Sequence, residues 1–353
     1  MQVPSILSPH WTRPALLGPG RAFQVIVAGR PDGMPVMTLT AGAEVLPVHI
    51  EDVVPLRPDL TQYSCTAVKD GAAAGGKPGA LYDLELRTHG TQAKMCRAAS
   101  VLPEDTTSLT LLHCTDLHLL VPVAEKGMVD RSALFAALVD RINALRPDLV
   151  ICTGDVISRY DTHKRALPAE MIRWQIRRAV ELLAPIEVPF YVTLGNHDAA
   201  FEATRGDWYA ALGGGWNGGT DEYSLDWGEV HLAMLDCFAH YDPQNVMRRS
   251  SFTDEQLDWL RADLAATSAR QQRLVFAHYD YRKQLPALLA ELRIDALFYG
   301  HAKGLYPDLL AEHDIWDGHL ADTQAYNLVR LTPEGIAAQK VSWAGLESRT
   351  ARW

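Results

Sequence analysis

Between residues 109 and 301, five short apolar runs each end in a cluster drawn from Gly, Asp, His and Asn, and this arrangement constrains the fold more than any other feature. Leu109–Thr115 runs into Asp116-Leu-His118, Leu149–Thr153 into Gly154-Asp155, and Phe190–Leu194 into Gly195-Asn-His-Asp198. Arg273–Ala277 runs into His278-Tyr279, and Ala296–Tyr299 into Gly300-His301. Runs this short and this apolar suit strands buried on both faces of a parallel sheet. The stretches Arg131–Leu145 and Pro168–Leu183 carry helical periodicity. Phe252–Ala265 contains Thr253-Asp-Glu-Gln256, a capping-box signature, before Leu257, Leu260 and Leu264. Strands alternating with helices predict βαβ units and a layered α/β domain over residues 106–353. Tyr326–Leu331 and Ala337–Trp343, split by Thr332-Pro-Glu-Gly335, read as a terminal hairpin.

The first 105 residues have a different character. Short runs (Ala22–Ala28, Val45–Ile50, Gln62–Val68, Ala80–Arg87) are separated by turn clusters such as Arg30-Pro-Asp-Gly33. That spacing predicts a small β-sandwich, and with no catalytic cluster it reads as a packing or partner module. The chain is 48% hydrophobic, enough to bury a sizeable core, yet no apolar run reaches the ~18 uncharged residues of a membrane span. The stretch 1–22 lacks the apolar core of a signal peptide, so the expected compartment is the cytoplasm. A formal charge of -10 with no block of Lys or Arg argues against nucleic acid as a partner. Five Cys, an odd number without CxxC spacing, argue against a disulfide framework.

In open α/β sheets, functional groups gather beyond the carboxyl ends of the strands. Singly, an Asp there is commonly an N-cap and a lone His a hydrogen-bonded structural group. Five such ends carrying carboxylate, imidazole and amide while the strands stay apolar point to a joint task. Carboxylate with imidazole suits Mn, Fe or Zn, and the lack of thiolate at these ends argues against a structural Cys-type zinc site.

Taken together, Cys114-Thr-Asp-Leu-His118, Thr153-Gly-Asp155, Leu194-Gly-Asn-His-Asp198, Phe276-Ala-His278 and Tyr299-Gly-His301 resemble the calcineurin-like metallophosphoesterase family over about residues 109–345. Tyr223-Ser-Leu-Asp-Trp-Gly228 and Gln256-Leu-Asp-Trp-Leu260 agree with it. The resemblance implies a four-layer α/β/β/α sandwich preceded by an all-β domain like the Ig- or fibronectin-like appendage of some members. It also implies two metal ions, Asp116 and His118 binding the first, Asp155 bridging both, and Asn196, His278 and His301 binding the second. His197 would stand near the leaving oxygen as proton donor or transition-state hydrogen-bond partner, with Asp198 orienting it. The implied reaction is hydrolysis of a phosphate ester by metal-activated hydroxide.

One position departs from the family. Where Gly-His-any-His is usual, this chain reads Gly300-His-Ala-Lys303, and a protonated Lys cannot bind a metal. Three readings follow. The first metal binds with more water and is weak or absent; or Asp280, Asp308, His313 or His319 replaces the ligand; or Lys303 contacts the substrate phosphate. The first, with activity retained, is favoured because the other inferred catalytic groups are all present. Tyr279, Tyr281, Arg282 and Lys283 could contact a substrate, as could Arg248-Arg249, and Asp198–Asp221 could form a mobile loop beside the site or a plain connection. The expected substrate is a small-molecule phosphodiester. The competing reading is a silent relative that binds partners, and nothing in the sequence speaks to oligomeric state.

Overall fold

Side chains that alternate between apolar and polar dominate the first hundred residues, and they form nine strands. In chain order these are β1 (Ser5–Ser8), β2 (Ala15–Leu17), β3 (Ala22–Ala28), β4 (Val36–Ala41), β5 (Glu44–Arg57), β6 (Leu60–Lys69), β7 (Ala72–Ala73), β8 (Leu81–Arg87) and β9 (Gln92–Val101). The structure is a computed structural model that describes residues 4–29, 31, 33–69, 72–73, 79–198, 202–215, 222–236, 253–268, 271–279, 285–301, 314–316, 325–342 and 349–352. Hydrogen bonds join the nine strands into one sheet of order β1-β3-β6-β5-β4-β8-β9-β2, with β7 on β6. The region is all-β as expected, but in one continuous sheet rather than the two separate sheets of an immunoglobulin-like sandwich. The sheet curls, because β1 also lies beside β9 and β2 beside β3. Its inner side buries Val25, Val27, Leu39, Leu46, Tyr82, Leu84 and Leu86, at about 1.5–3 kcal/mol for each fully buried side chain.

By its contacts the chain divides into two units, Met1–Thr106 with Glu187–Tyr191 and Leu212–Gly214, and the remainder. The two later segments join the first unit through hydrogen bonds. Tyr191 Oη donates to Pro14 O at 2.8 Å, and Thr12 Oγ1 donates to Leu212 O at 2.5 Å.

The second unit opens with β10 (Leu109–Cys114), the hairpin β11 (Leu120–Val123) and β12 (Gly127–Asp130), and α1 (Ser132–Leu145). Next come β13 (Leu149–Cys152), α2 (Ala169–Leu183), β14 (Phe190–Val192), α3 (Glu202–Leu212), β15 (Tyr223–Trp227) and β16 (Val230–Met234). Then follow α4 (Asp254–Ala265), β17 (Gln272–Ala277), α5 (Leu285–Leu292), β18 (Ala296–Tyr299), β19 (Asp314–Trp316), β20 (Ala325–Thr332), β21 (Gly335–Ser342) and β22 (Arg349–Arg352). Two sheets result, β14-β13-β10-β20-β21-β22 and β15-β16-β17-β18-β19. Pairing is parallel for β10 with β13 and along β16-β17-β18-β19, and antiparallel for the terminal hairpin of β20 and β21. The sheets face each other. The His113 ring of β10 meets Phe276 of β17 at 6.0 Å and Phe298 of β18 at 5.5 Å. Helices α1 and α2 belong to the crossovers of the first sheet and α4 and α5 to those of the second.

Helix α4 starts with the expected capping box, Thr253 and Gln256 each bonding the other's backbone N–H. The segment expected to be a loop, Asp198–Asp221, holds α3, which Trp208 anchors at 1% exposure. Of its Gly run only Gly213, Gly214 and Gly215 fall among the described residues, all with positive φ. Among the described residues no helix is long and apolar enough to cross a membrane.

Candidate metal centre

Polar residues at the carboxyl ends of β10, β13, β17 and β18 and in the loop after β14 converge because the loops carrying them nearly touch. A Cβ on Gly154 (φ 92°) would collide with the Gly195 backbone, coming 2.6 Å from its Cα, and one on Gly300 would come 2.8 Å from Asp116 Oδ2 and 2.9 Å from His278 Nδ1. Asp116 (φ 55°), His118 (φ 45°), Asp155 (φ 54°) and His301 (φ 66°) all occupy the left-handed region. Few L side chains adopt that region, Asp and His more readily than most, and four of them gather here.

The carboxylates share a pattern, with one oxygen tied down and the other offered. Asp155 Oδ1 accepts from His197 N at 2.7 Å, while Oδ2 lies 3.7 Å from His118 Nε2 and 3.3 Å from His278 Nε2. Asp116 Oδ2 accepts from Thr115 Oγ1 at 2.9 Å and His301 N at 3.0 Å, while Oδ1 lies 3.8 Å from His118 Nε2. Backbone carbonyls fix the imidazoles in turn. His278 Nδ1 donates to Thr153 O at 2.7 Å and His118 Nδ1 to Ile157 O at 3.3 Å, which aims both Nε2 atoms inward. Asn196 Oδ1 lies 3.1 Å from His278 Nε2 and 2.8 Å from His301 Nδ1. Two ligands on one ion at about 2.1 Å sit about 3–3.4 Å apart, so the spacings around His278 fit a metal site.

Electrostatics supports the same fit. Burial would lower His278, but the charges of Asp155 and Asp116 and hydrogen bonding raise it to about 9. Its proton then occupies the place where three inward-facing donors need a cation, so metal and proton compete there. Burial would raise Asp155, yet His278, His197 and His118 hold its carboxyl well below the usual range. Ligand atoms of His118, Asp155 and His197, and separately of Asp155, His278 and His301, lie within 4.8 Å of one another.

His197 and Asp198 play different parts from each other and, for Asp198, from expectation. Burial lowers His197 to about 4, and its Nδ1 accepts from Arg159 N at 3.0 Å, so the neutral ring carries its proton on Nε2. That nitrogen is a donor rather than a metal ligand. Asp198, expected to orient the His197 ring, instead accepts from Asp155 N at 2.6 Å, Gly195 N at 2.9 Å and Ile157 N at 3.1 Å. Its carboxylate binds the second and third motifs together through their backbones. Tyr279 is 5% exposed and sits edge-on to His301 at 4.2 Å and His278 at 5.7 Å, so it packs against the two imidazoles. Lys303 and Arg282, with Asp280, Tyr281, Lys283, Asp308, His313, His319 and Arg248-Arg249, lie outside the described residues.

Sequence reasoning missed the supporting residues. His113, wholly buried and lowered to about 3 by that burial, sits 2.9 Å from Thr153 Oγ1. Gln175 reaches the loop after Asp155 from helix α2. The signal for each was a polar side chain in an otherwise apolar row.

A family model described as calcineurin-like phosphoesterase matches residues 109–302. No curated protein matches the chain. Among solved structures, the chain is similar to a dimetal phosphatase from Danio rerio at 14% identity and a TM-score of 0.49, covering 69% of this chain and 98% of that one. It is also similar to an alpha-galactosidase/melibiase from Bacteroides fragilis at 11% identity and a TM-score of 0.23, covering 84% of this chain and 56% of that one.

Proposed function

The chain belongs to the calcineurin-like phosphoesterase family, and on that premise we propose that it hydrolyses a small-molecule phosphodiester with two metal ions, Mn, Fe or Zn. The observation that carries this reading is Asp155 Oδ2, which faces His118 Nε2 at 3.7 Å and His278 Nε2 at 3.3 Å, as a bridging oxygen must. Asp116 and His118 would complete one ion's protein ligands, and Asn196, His278 and His301 the other's. Bound there, the ions would screen charge on the non-bridging oxygens and acidify a water enough to make hydroxide available at neutral pH.

The chain's own groups do the rest. Asn196 contributes a neutral oxygen, which limits the negative charge facing the phosphate. His197, neutral and fixed with its proton on Nε2, would donate a hydrogen bond to the leaving oxygen as the ester bond breaks. Asp198 holds the motifs in register through three backbone N–H groups. Residues 106–353 form the catalytic domain in this reading and 1–105 an accessory one. Lys303 in place of a ligand His weakens the first site, and it is also the one feature that favours a silent, partner-binding relative.

The test is hydrolysis of generic aryl phosphodiesters and phosphomonoesters across a Mn²⁺ titration, with Asp155→Ala as control. Turnover that rises with Mn²⁺, prefers the diester and vanishes in the control is expected. Preference for the monoester would overturn the substrate class, and silence at saturating metal would favour the partner-binding reading.

A further inference from the structure

Asp155, Val156, Ile157, Ser158 and Arg159 follow β13 without regular structure, yet all five are buried, with exposures of 0–4%. Buried irregular backbone must find a partner for every N–H and C=O it carries. Here most partners are groups of the metal centre. Asp198 takes Asp155 N and Ile157 N, and His197 Nδ1 takes Arg159 N. The carbonyl of Asp155 accepts from His118 N at 2.9 Å, and that of Ile157 from His118 Nδ1 at 3.3 Å. Between these bonds lies Ser158, and both of its backbone groups go elsewhere. Ser158 N donates to Gln175 Oε1 at 2.8 Å, and Gln175 Nε2 donates to Ser158 O at 2.9 Å.

Gln175 is out of place by the logic of its helix. The buried row of α2 is Ile172, Gln175, Ile176, Ala179 and Leu183, four apolar residues and one amide at 0% exposure. An apolar side chain would fill that position without needing a hydrogen-bond partner, whereas a buried amide is tolerated only when paired. Both of its polar ends are paired, and with the same residue.

We infer that Gln175 is a positioning residue for the metal centre, clamping Ser158 so that the bonds on either side of it aim His118 and His197. Ser158 Oγ, which donates to Leu120 O, also lies 3.4 Å from His118 Nδ1, so the clamp and the first-site imidazole share one short piece of chain. Without the amide, Ser158 N and O lose their partners in a dry place and the strip must move to rehydrate them. His118 and His197 then lose their aim together, while His278, held by Thr153 O ahead of the strip, and His301, whose N–H is held by Asp116, keep theirs. The inference rests on the metal-dependent reading above.

The experiment is a Mn²⁺ titration of the full chain by calorimetry, with aryl ester hydrolysis measured on the same preparations. Gln175→Met, close in size and without polar ends, is expected to weaken one of two Mn²⁺ sites by ~10–100-fold, as loss of a group supporting a ligand typically does. It should also lower kcat more than it raises KM. Gln175→Glu, whose neutral form repeats both bonds, should recover much of the affinity. Ile176→Ala, which loosens the same helix without touching Ser158, should lower Tm and leave both affinities in place. Equal Mn²⁺ binding by wild type and Gln175→Met, or the same selective loss in Ile176→Ala, would overturn the inference alone. A wild type that binds no Mn²⁺ would overturn the metal-dependent reading with it. If Gln175→Met does not fold, Gln175→Asn decides on the same terms, selective loss at one site supporting the clamp and unchanged affinities overturning it.

Discussion

At the scale of single residues, this chain places donors where its backbone is least comfortable. Asp116, His118, Asp155 and His301 all have φ between 45° and 66°. An L residue held there costs about 1–2 kcal/mol relative to the right-handed region, a cost that glycine escapes. The strain is held by backbone and hydroxyl partners of the atoms turned away from the centre, as for His118 Nδ1 and Asp116 Oδ2. A direct consequence can be measured at His118. Both His118→Ala and His118→Gly remove the imidazole, so they differ mainly in backbone freedom. In urea denaturation of the metal-free protein, His118→Gly should be more stable than His118→Ala by about 1 kcal/mol. Equal stabilities, or the reverse order, would mean that the left-handed conformation is not strained. Both variants should lose first-site metal.

At the scale of elements, the two sheets are held by strands the sequence displayed openly and by side chains it did not. Strands β13, β17 and β18 were readable because burial on both faces demands unbroken apolar runs, as in Leu149–Cys152 and Ala296–Tyr299. The ligand clusters were readable because they interrupt those runs at their carboxyl ends. Helix α3 was not, since Glu202–Leu212 mixes Thr, Gly and Asp with apolar residues that form no clear stripe, and it precedes a Gly run. The Gln175 clamp showed only as one amide in an apolar row, because its partners are backbone atoms of another segment. A second hidden link joins α4 to the β15–β16 hairpin. His231 on β16 lies between Asp226 of β15 at 2.7 Å and Asp263 of α4 at 2.8 Å, and Ser224 Oγ donates to Asp263 at 2.7 Å. Burial would lower His231, but hydrogen bonds to both carboxylates and their charges raise it to about 9. A folded-state pKa raised above the ordinary ~6.5 gives stability that is complete below about pH 6.5 and lost as pH rises through 9. Wild type should therefore exceed His231→Gln in stability by on the order of 2–3 kcal/mol at pH 6, the gap narrowing steadily to pH 10. A gap that does not change with pH would show that the ring acts by packing alone.

At the scale of the molecule, the proposed metal centre would be a junction as well as a reaction site. Its donors come from loops after β10, β13, β14, β17 and β18, so one pair of ions would tie the first sheet to the second. The unfolded chain cannot reproduce that junction, because Asp116 and His301 are brought together only by the fold, through the bond from His301 N to Asp116 Oδ2. Ions that bind the folded state alone stabilise it by mass action, about 2.7 kcal/mol per site at a free concentration of 100 Kd. For a domain of this size that is worth about 5–10 °C in Tm for each site filled, and about twice that for the pair. Calorimetric scans in chelator and in Mn²⁺ at about 100 Kd should differ by that amount in wild type, and by much less in Asp155→Ala, which lacks the shared oxygen. The Mn²⁺-loaded protein should also lose ions on acidification, since His278 takes up a proton where a cation would bind. The Mn²⁺-dependent rise in Tm should therefore shrink from pH 8 to pH 5. If Mn²⁺ raised the Tm of Asp155→Ala as much as that of wild type, the ions would be acting elsewhere on the surface and the junction would not be what they stabilise.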